Sequence, residues 1–220
     1  MENTAPILDR LLWVLLVIVM AGVVATVWTD LGVQPRRVGV ENRALRGLKV
    51  FGKVPDFSLI ERTWRPLGLS DLRGKIWIAN FIYTTCTDTC PLQSLEMAKL
   101  QAELSDREDI RLVSITVDPD RDTPQLLSRY AKHFKADPVR WLFLTGEKDK
   151  IYRLAQEGFR LSAVPVSNIE GEDNDAIIHS NRFVLVDGER KIRGYYTSND
   201  TEALKRLRRD LKPLLQNKTA

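Results

Sequence analysis

The 220-residue sequence is short of the residues that staple small folds together, with two cysteines and two histidines in all. Two cysteines cannot make a disulfide framework or a four-thiolate zinc site. They leave room for one disulfide or one small soft-metal site. Net charge is scarce as well: Lys+Arg 33 against Asp+Glu 29 gives a formal +4, too little to indicate nucleic-acid binding. The excess is also local. Between Thr201 and Ala220, six basic residues (Lys205, Arg206, Arg208, Arg209, Lys212, Lys218) face only Glu202 and Asp210, so this tail carries the whole +4. Its basic face suits an anionic membrane surface or an acidic partner, although a solvated helix is the commoner meaning of such a run. There is no internal repeat and no low-complexity tract. A hydrophobic share of 44% and a charged share of 28% fit one globular domain with an appendage, and exclude a disordered chain or a polytopic membrane protein.

What is present begins with an apolar run. Leu11 to Thr29 is nineteen residues without a charge, bracketed by Arg10 and Asp30. At about 1.5 Å per residue it matches the roughly 30 Å hydrocarbon core of a bilayer, and it reads as one transmembrane helix. A cleaved signal peptide is the rival, with Val23 and Ala25 at the −3 and −1 positions, but the run is longer than a usual signal core. The basic residues after the run favour an inward C-terminus, yet a domain of this size translocates largely regardless of such charges. The tally of charge leaves the side open.

Residues 30 to 53 are polar without a period and read as a tether. Strand and helix signals then alternate. Lys75–Tyr83 is nearly continuously apolar and rich in β-formers, as a buried central strand should be. A helix opens at Pro91, with Leu92, Leu95, Leu100 and Leu104 at roughly helical intervals. A strand over Arg111–Val117 and a helix over Pro124–Phe134, capped by Thr123, come next. Trp141–Thr145 reads as a strand and Glu147–Glu157 as a helix stopped by Gly158. Ser162–Asp175 is a long polar loop. Ile177–Val186 and Lys191–Tyr196 flank Asp187-Gly188, a hairpin signature, and Asp200 caps a last helix over Thr201–Leu214. The order predicts an α/β fold whose mixed sheet is parallel in its first half and antiparallel at the hairpin.

Both cysteines lie in Thr84-Thr85-Cys86-Thr87-Asp88-Thr89-Cys90-Pro91, where the first strand gives way to a helix. The crevice at the carboxyl ends of strands is where open α/β sheets carry function. Cys90 precedes Pro91 and so falls in the N-cap region, where the helix dipole favours a thiolate. One helical turn rises about 5.4 Å, which suits either a disulfide or a shared metal. Two buried structural thiols are the plain alternative. Of the histidines, His133 sits beside Lys132 and Lys135 on an amphipathic helix and reads as a surface residue. His179 opens the strand that this connectivity can lay beside the cysteine strand. Two thiolates and an imidazole suit Cu(I), or Cu(II) with an added ligand, whereas zinc would want a fourth. Spacing alone leaves His179 open between ligand and ordinary strand residue.

The segment Cys86–Pro91, the run Val117-Asp118-Pro119-Asp120-Arg121-Asp122-Thr123-Pro124, the strand Trp141–Gly146 and His179-Ser180 followed by FVLVDGERKIRGYY resemble the SCO/SenC family of copper proteins. The likeness covers about Val54 to Leu214. It implies a thioredoxin-like mixed sheet flanked by helices, preceded here by the transmembrane helix, and delivery of copper to cytochrome c oxidase at its dinuclear copper A centre. It also implies copper ligation by Cys86, Cys90 and His179. The expected organisation is then an N-terminal tail (1–10), an anchor (11–29), a tether (30–53) and a copper-binding domain (54–220). The domain is expected on the non-cytoplasmic side, in a bacterial periplasm or the mitochondrial intermembrane space. Its expected partner is an oxidase subunit or another copper chaperone.

Asp118 is a candidate to support the cysteine loop, or merely to cap the strand-to-loop turn, and Asp88 to bind loop amides rather than metal. The rival function is thiol-disulfide exchange by Cys86 and Cys90 without metal. A peroxidase has less support, since no Pro-x-x-x-Thr-x-x-Cys arrangement surrounds Cys86. A copper or redox sensor would look the same in sequence.

Overall fold

The structure, a computed structural model, describes residues 13–22, 48–87, 89–161 and 180–216. The chain divides into two units, Met1–Arg43 and Ala44–Ala220. In the first, helix α1 spans 13–22, and Trp13, Leu16, Ile18 and Met20 are exposed on it. Among the described residues no helix is long and apolar enough to cross a membrane. The rest of the expected span lies outside them, and ten helical residues rise only about 15 Å.

The second unit is built on one eight-stranded sheet. Its strands are β1 (Gly52–Lys53), β2 (Ser58–Glu61), β3 (Pro66–Gly68), β4 (Ile76–Ile82), β5 (Ile110–Thr116), β6 (Trp141–Thr145), β7 (Arg182–Val186) and β8 (Lys191–Thr197), in the order β1-β8-β7-β4-β5-β6-β2-β3. Strands β4, β5 and β6 are parallel, while β7 joins β4 antiparallel through Trp77↔Val186 and Ala79↔Val184. The expected mixed sheet is therefore present, with the hairpin strand beside the cysteine strand. The helices are α2 (Thr89–Glu103), α3 (Pro124–His133), α4 (Lys148–Arg153) and α5 (Thr201–Gln216).

All seven residues of β4 are buried because both faces of the sheet are covered. Trp77, Ala79 and Phe81 meet Ile151, Leu154 and Phe159 on one face. Ile76, Ile78 and Ile82 meet α2, α3 and α5 on the other, in the same cluster as both cysteines. Helix α5 contributes Ala203, Leu207, Leu211 and Leu214, one buried stripe at helical spacing. Its first turn is capped as expected: Asp200 Oδ1 accepts the Glu202 and Ala203 amides at 2.8 and 3.2 Å. Thr123 likewise caps α3, its Oγ1 accepting from Leu126 N at 3.3 Å.

Several local expectations change. The end of the expected tether, residues 51–53, joins the sheet: Phe51 N donates to Ile192 O, and β1 pairs with β8. The hairpin β2–β3, which the sequence left unmarked, extends the sheet beyond β6. Helix α4 ends at Arg153 and widens into a π turn over Leu154–Gly158. The wider turn brings Phe159 edge-on to Trp77 and Phe81, at 5.7 and 5.3 Å between ring centres. Between β7 and β8 the turn takes four residues, Asp187–Arg190, rather than two. Asp187 Oδ1 accepts the Glu189 and Lys191 amides at 2.9 Å each, and Arg190 takes the left-handed conformation. Gly188 is needed there for close approach: a Cβ would sit 3.2 Å from the Gly74 backbone.

Candidate metal centre

Strand β4 ends at Ile82, and the chain turns through Tyr83, Thr84 and Thr85 into α2. Cys86 N donates to Tyr83 O at 3.2 Å, closing that turn. Cys90 N then donates to Cys86 Sγ at 3.4 Å, so the first sulfur sits over the first turn of the helix. This is the arrangement that the four-residue spacing predicts, with one difference. Helix α2 begins at Thr89, so Cys90 lies within its first turn rather than capping it.

The electrostatics also depart from expectation. Cys86 and Cys90 are 7% and 3% exposed. Burial pushes the Cys90 thiol up to about 12, against a smaller downward pull from a backbone hydrogen bond at Tyr83; nearby Cys86 and Asp122 push it further up. The helix N-terminus favours a thiolate, but desolvation outweighs it here. Cys90 therefore rests as a neutral thiol, which a soft cation could deprotonate on binding.

Helix α2 also faces a different way than its leucines suggest. Leu92 and Leu95 are 57% and 50% exposed, while Gln93 and Ser94 are buried. The reason is a polar chain under the helix. Trp141 Nε1 donates to Ser114 Oγ at 3.0 Å, Ser114 Oγ donates to Asn80 Oδ1 at 2.7 Å, and Asn80 Nδ2 donates to Gln93 Oε1 at 3.2 Å. Gln93 Nε2 then donates to Ser180 O at 3.1 Å. Buried polar groups must be paired, and this chain satisfies four side chains across β6, β5, β4 and α2 at once. It ends on the residue that follows His179. His179 itself lies outside the described residues, as does Asp88. Among the described residues, no group of three or more His, Cys, Asp or Glu converges as a metal site.

Support for the cysteine turn comes from an unexpected aspartate. Asp118 makes the turn after β5: its N donates to Thr116 Oγ1 at 3.0 Å, and its carbonyl accepts Asp122 N at 2.8 Å. Its carboxylate reaches Arg121 at 3.9 Å, and burial, with Asp122 nearby, raises its pKa. Asp122 is the residue that ties the loops together. It is fully buried, accepting from Thr84 N at 3.1 Å, from Thr84 Oγ1 at 2.5 Å and from Thr116 Oγ1 at 2.5 Å. The sequence offered three aspartates in this run, and only the three-dimensional approach of Thr84 selects among them. Gln93 had a clearer signal: it lies three positions after Cys90, on the same side of the helix. His133 is exposed on α3, as expected.

A mixed sheet covered by helices on both faces, with a dithiol where the central strand passes into a helix, defines a thioredoxin-like protein. The comparisons are more specific. The family model described as SCO1/SenC matches residues 49–216, and the chain belongs to that family. The SCO1 protein homolog of Bacillus subtilis is 32% identical over 142 residues, 64% of this chain and 71% of that protein. The solved structure of BsSco, described as a member of the Sco family of cytochrome c oxidase assembly proteins with a disulfide switch, superposes with a TM-score of 0.63 at 29% identity. It covers 76% of this chain and 96% of that one. Copper-bound yeast Sco1 superposes with a TM-score of 0.56 at 26% identity, covering 71% and 87%.

Proposed function

We propose that this protein is a membrane-anchored copper metallochaperone, in which Cys86, Cys90 and His179 bind the ion and pass it to cytochrome c oxidase for copper A assembly. The observation that carries the reading is the dithiol turn itself: two buried sulfurs one helical turn apart, beside the Gln93–Ser180 hydrogen bond. That bond holds the backbone next to His179 against the cysteine helix. Family membership and the copper held by yeast Sco1 support the choice of ion. Two thiolates and one imidazole form a soft, low-coordinate set suited to Cu(I), with Cu(II) needing an added ligand.

Transfer proceeds by ligand exchange, with the recipient's thiolates and imidazoles competing for the ion. Oxidation of the pair to a disulfide sends two electrons and two protons to a thiol-oxidising partner and removes two of the three ligands. The run 11–29 serves as the anchor, with the domain on the non-cytoplasmic side of a bacterial inner membrane or in the mitochondrial intermembrane space.

The second reading is metal-free thiol-disulfide exchange, which the disulfide switch of BsSco keeps in view. Burial argues against it: an exchange nucleophile needs an accessible, acidic thiol, and Cys90 is neither. The deciding experiment is Cu(I) stoichiometry, under a competing chelator, for the reduced full chain and for Cys86→Ser and His179→Ala. The wild type should take up about one equivalent, and both variants should lose it. Equal binding by all three would replace the chaperone with the oxidoreductase.

A further inference from the structure

Away from the cysteine turn, a cavity of about 660 Å³ opens between the residue after β2, helix α3 and the α3–β6 loop. Pro138 and Arg140 at its edge precede β6, which runs parallel to β4 through β5. They therefore lie at the opposite end of the sheet from Cys86, which follows β4.

The charges around this cavity do not balance. Asp137 is fully engaged: Oδ1 accepts the Val139 and Arg140 amides at 2.9 and 2.8 Å, and Oδ2 accepts Arg140 Nε at 3.2 Å. Arg140 spends a second donor on Leu104 O at 3.0 Å. Lys132 and Lys135 line the cavity and make no ion pair among the described residues. Arg62 completes the set. Its side chain is only 8% exposed, and its Nε lies 3.5 Å from Glu61 Oε1 without a hydrogen bond. Glu61 is turned the other way, its Oε2 accepting Thr63 N and Oγ1 at 2.7 Å each. Counting Glu61 and Asp137 against the four cations leaves two positive charges in excess.

Arg62 is the informative member. Its guanidinium stacks on Phe143 at 5.2 Å and donates no hydrogen bond among the described residues. Among the described residues, the one fully buried side-chain N or O atom without a hydrogen-bond partner is Glu61 Oε1, and Arg62 itself lines the cavity. Burial lowers the pKa of Arg62, and Glu61 and Asp137 only partly offset it. A desolvated guanidinium with unfilled donors is costly unless an acceptor meets it. Its planar fork matches two oxygens of one oxyanion.

The surrounding loop is fixed in advance. Gln101 on α2 donates to Lys135 O at 3.1 Å and accepts from Asp137 N at 2.7 Å. Ser128 Oγ donates to Arg62 O at 3.1 Å. The carbonyl end of α3, which would repel an anion, is covered by amides: Lys135 N donates to Lys132 O and Ala136 N to Ala131 O.

We propose that this cavity is a binding site for a phosphate group, with Arg62 as its buried fork and Lys132 and Lys135 at its mouth. A phosphate monoester carries about −1.5 to −2 at neutral pH, which matches the local excess. Inorganic phosphate and the monoester headgroup of phosphatidic acid share that chemistry. The site is independent of the cysteine pair and of any metal held there.

The test uses the full chain in neutral detergent at low salt, titrated with inorganic phosphate by calorimetry. Binding should saturate, and both Arg62→Gln and the exposed double replacement Lys132→Gln/Lys135→Gln should weaken it about tenfold or more. The double replacement leaves the buried stack on Phe143 intact, so it reports even if Arg62→Gln folds poorly. Lys205→Gln on α5 should bind as the wild type does. Phosphatidic acid added to the micelles distinguishes the sources: displacement of bound phosphate identifies a lipid headgroup, failure to displace identifies the free ion, and either supports the site. Non-saturable uptake, equal affinity in the double variant, or an equal loss in Lys205→Gln would overturn it.

Discussion

Gln93 Nε2 donates to the carbonyl oxygen of Ser180 at 3.1 Å, across 87 positions of sequence. The same side chain accepts from Asn80, so it couples the helix that starts at the cysteines to the strand that starts after His179. Replacing it with methionine keeps the bulk and removes both bonds. Chemical denaturation of Gln93→Met should show a loss of about 1–3 kcal/mol, since Asn80 is left unpaired in the core. Competition for Cu(I) should show weaker binding as well, although both thiols still titrate in the unfolded protein. Wild-type copper affinity in a destabilised Gln93→Met would reduce this contact to a purely structural one.

Asp122 and Asp118 lie four positions apart and should behave very differently. Asp122→Ala strands the donors of Thr84 and Thr116 in a buried site, and unfolding in urea should register a cost of about 3 kcal/mol. The freed turn should also let iodoacetamide alkylate the native dithiol faster. Asp118→Ala loses only a long ion pair to a half-exposed Arg121, and should cost less than about 1 kcal/mol. A larger effect at Asp118 would mean that the wrong carboxylate has been credited with holding the loop.

The buried thiol makes the metal-free, reduced protein sensitive to alkali. Cys90 is raised from 9.0 to about 12 in the folded chain. Between those values the unfolded chain has lost the proton that the folded chain keeps, so its stabilising contribution is complete below about pH 9 and falls as pH rises towards 12. The slope should approach about 1.4 kcal/mol per pH unit. Tyr130 is also raised by burial and adds in the same direction. Comparison with Cys90→Ser isolates the cysteine: the variant should have the shallower decline between pH 9 and pH 11, and parallel curves would refute the assignment.

Much of this domain is legible in the chain because the signals are local. The apolar run of β4, the helix caps Thr123 and Asp200 and the dithiol after a strand depend on near neighbours, and each appears where the residues indicate. Other features depend on groups that meet only after folding. Leu92 and Leu95 continue a helical apolar pattern, yet the buried face of α2 goes to Gln93 and Ser94 because Asn80, Ser114 and Tyr130 wait beneath it with unpaired polar groups. Residues 51–53 close what reads as a linker, but β8 offers them an open edge.

The sequence by itself therefore determined the scarce chemistry of this protein: two cysteines on one turn, a distant histidine, and a basic C-terminal stretch. Tertiary structure alone decided that both thiols are buried and that the Cys90 thiol stays protonated, that Asp122 rather than Asp118 braces their turn, and that Arg62 is left short of acceptors. Periodicity and spacing are properties of adjacent residues, whereas desolvation and hydrogen-bond satisfaction are set by whatever the fold brings alongside.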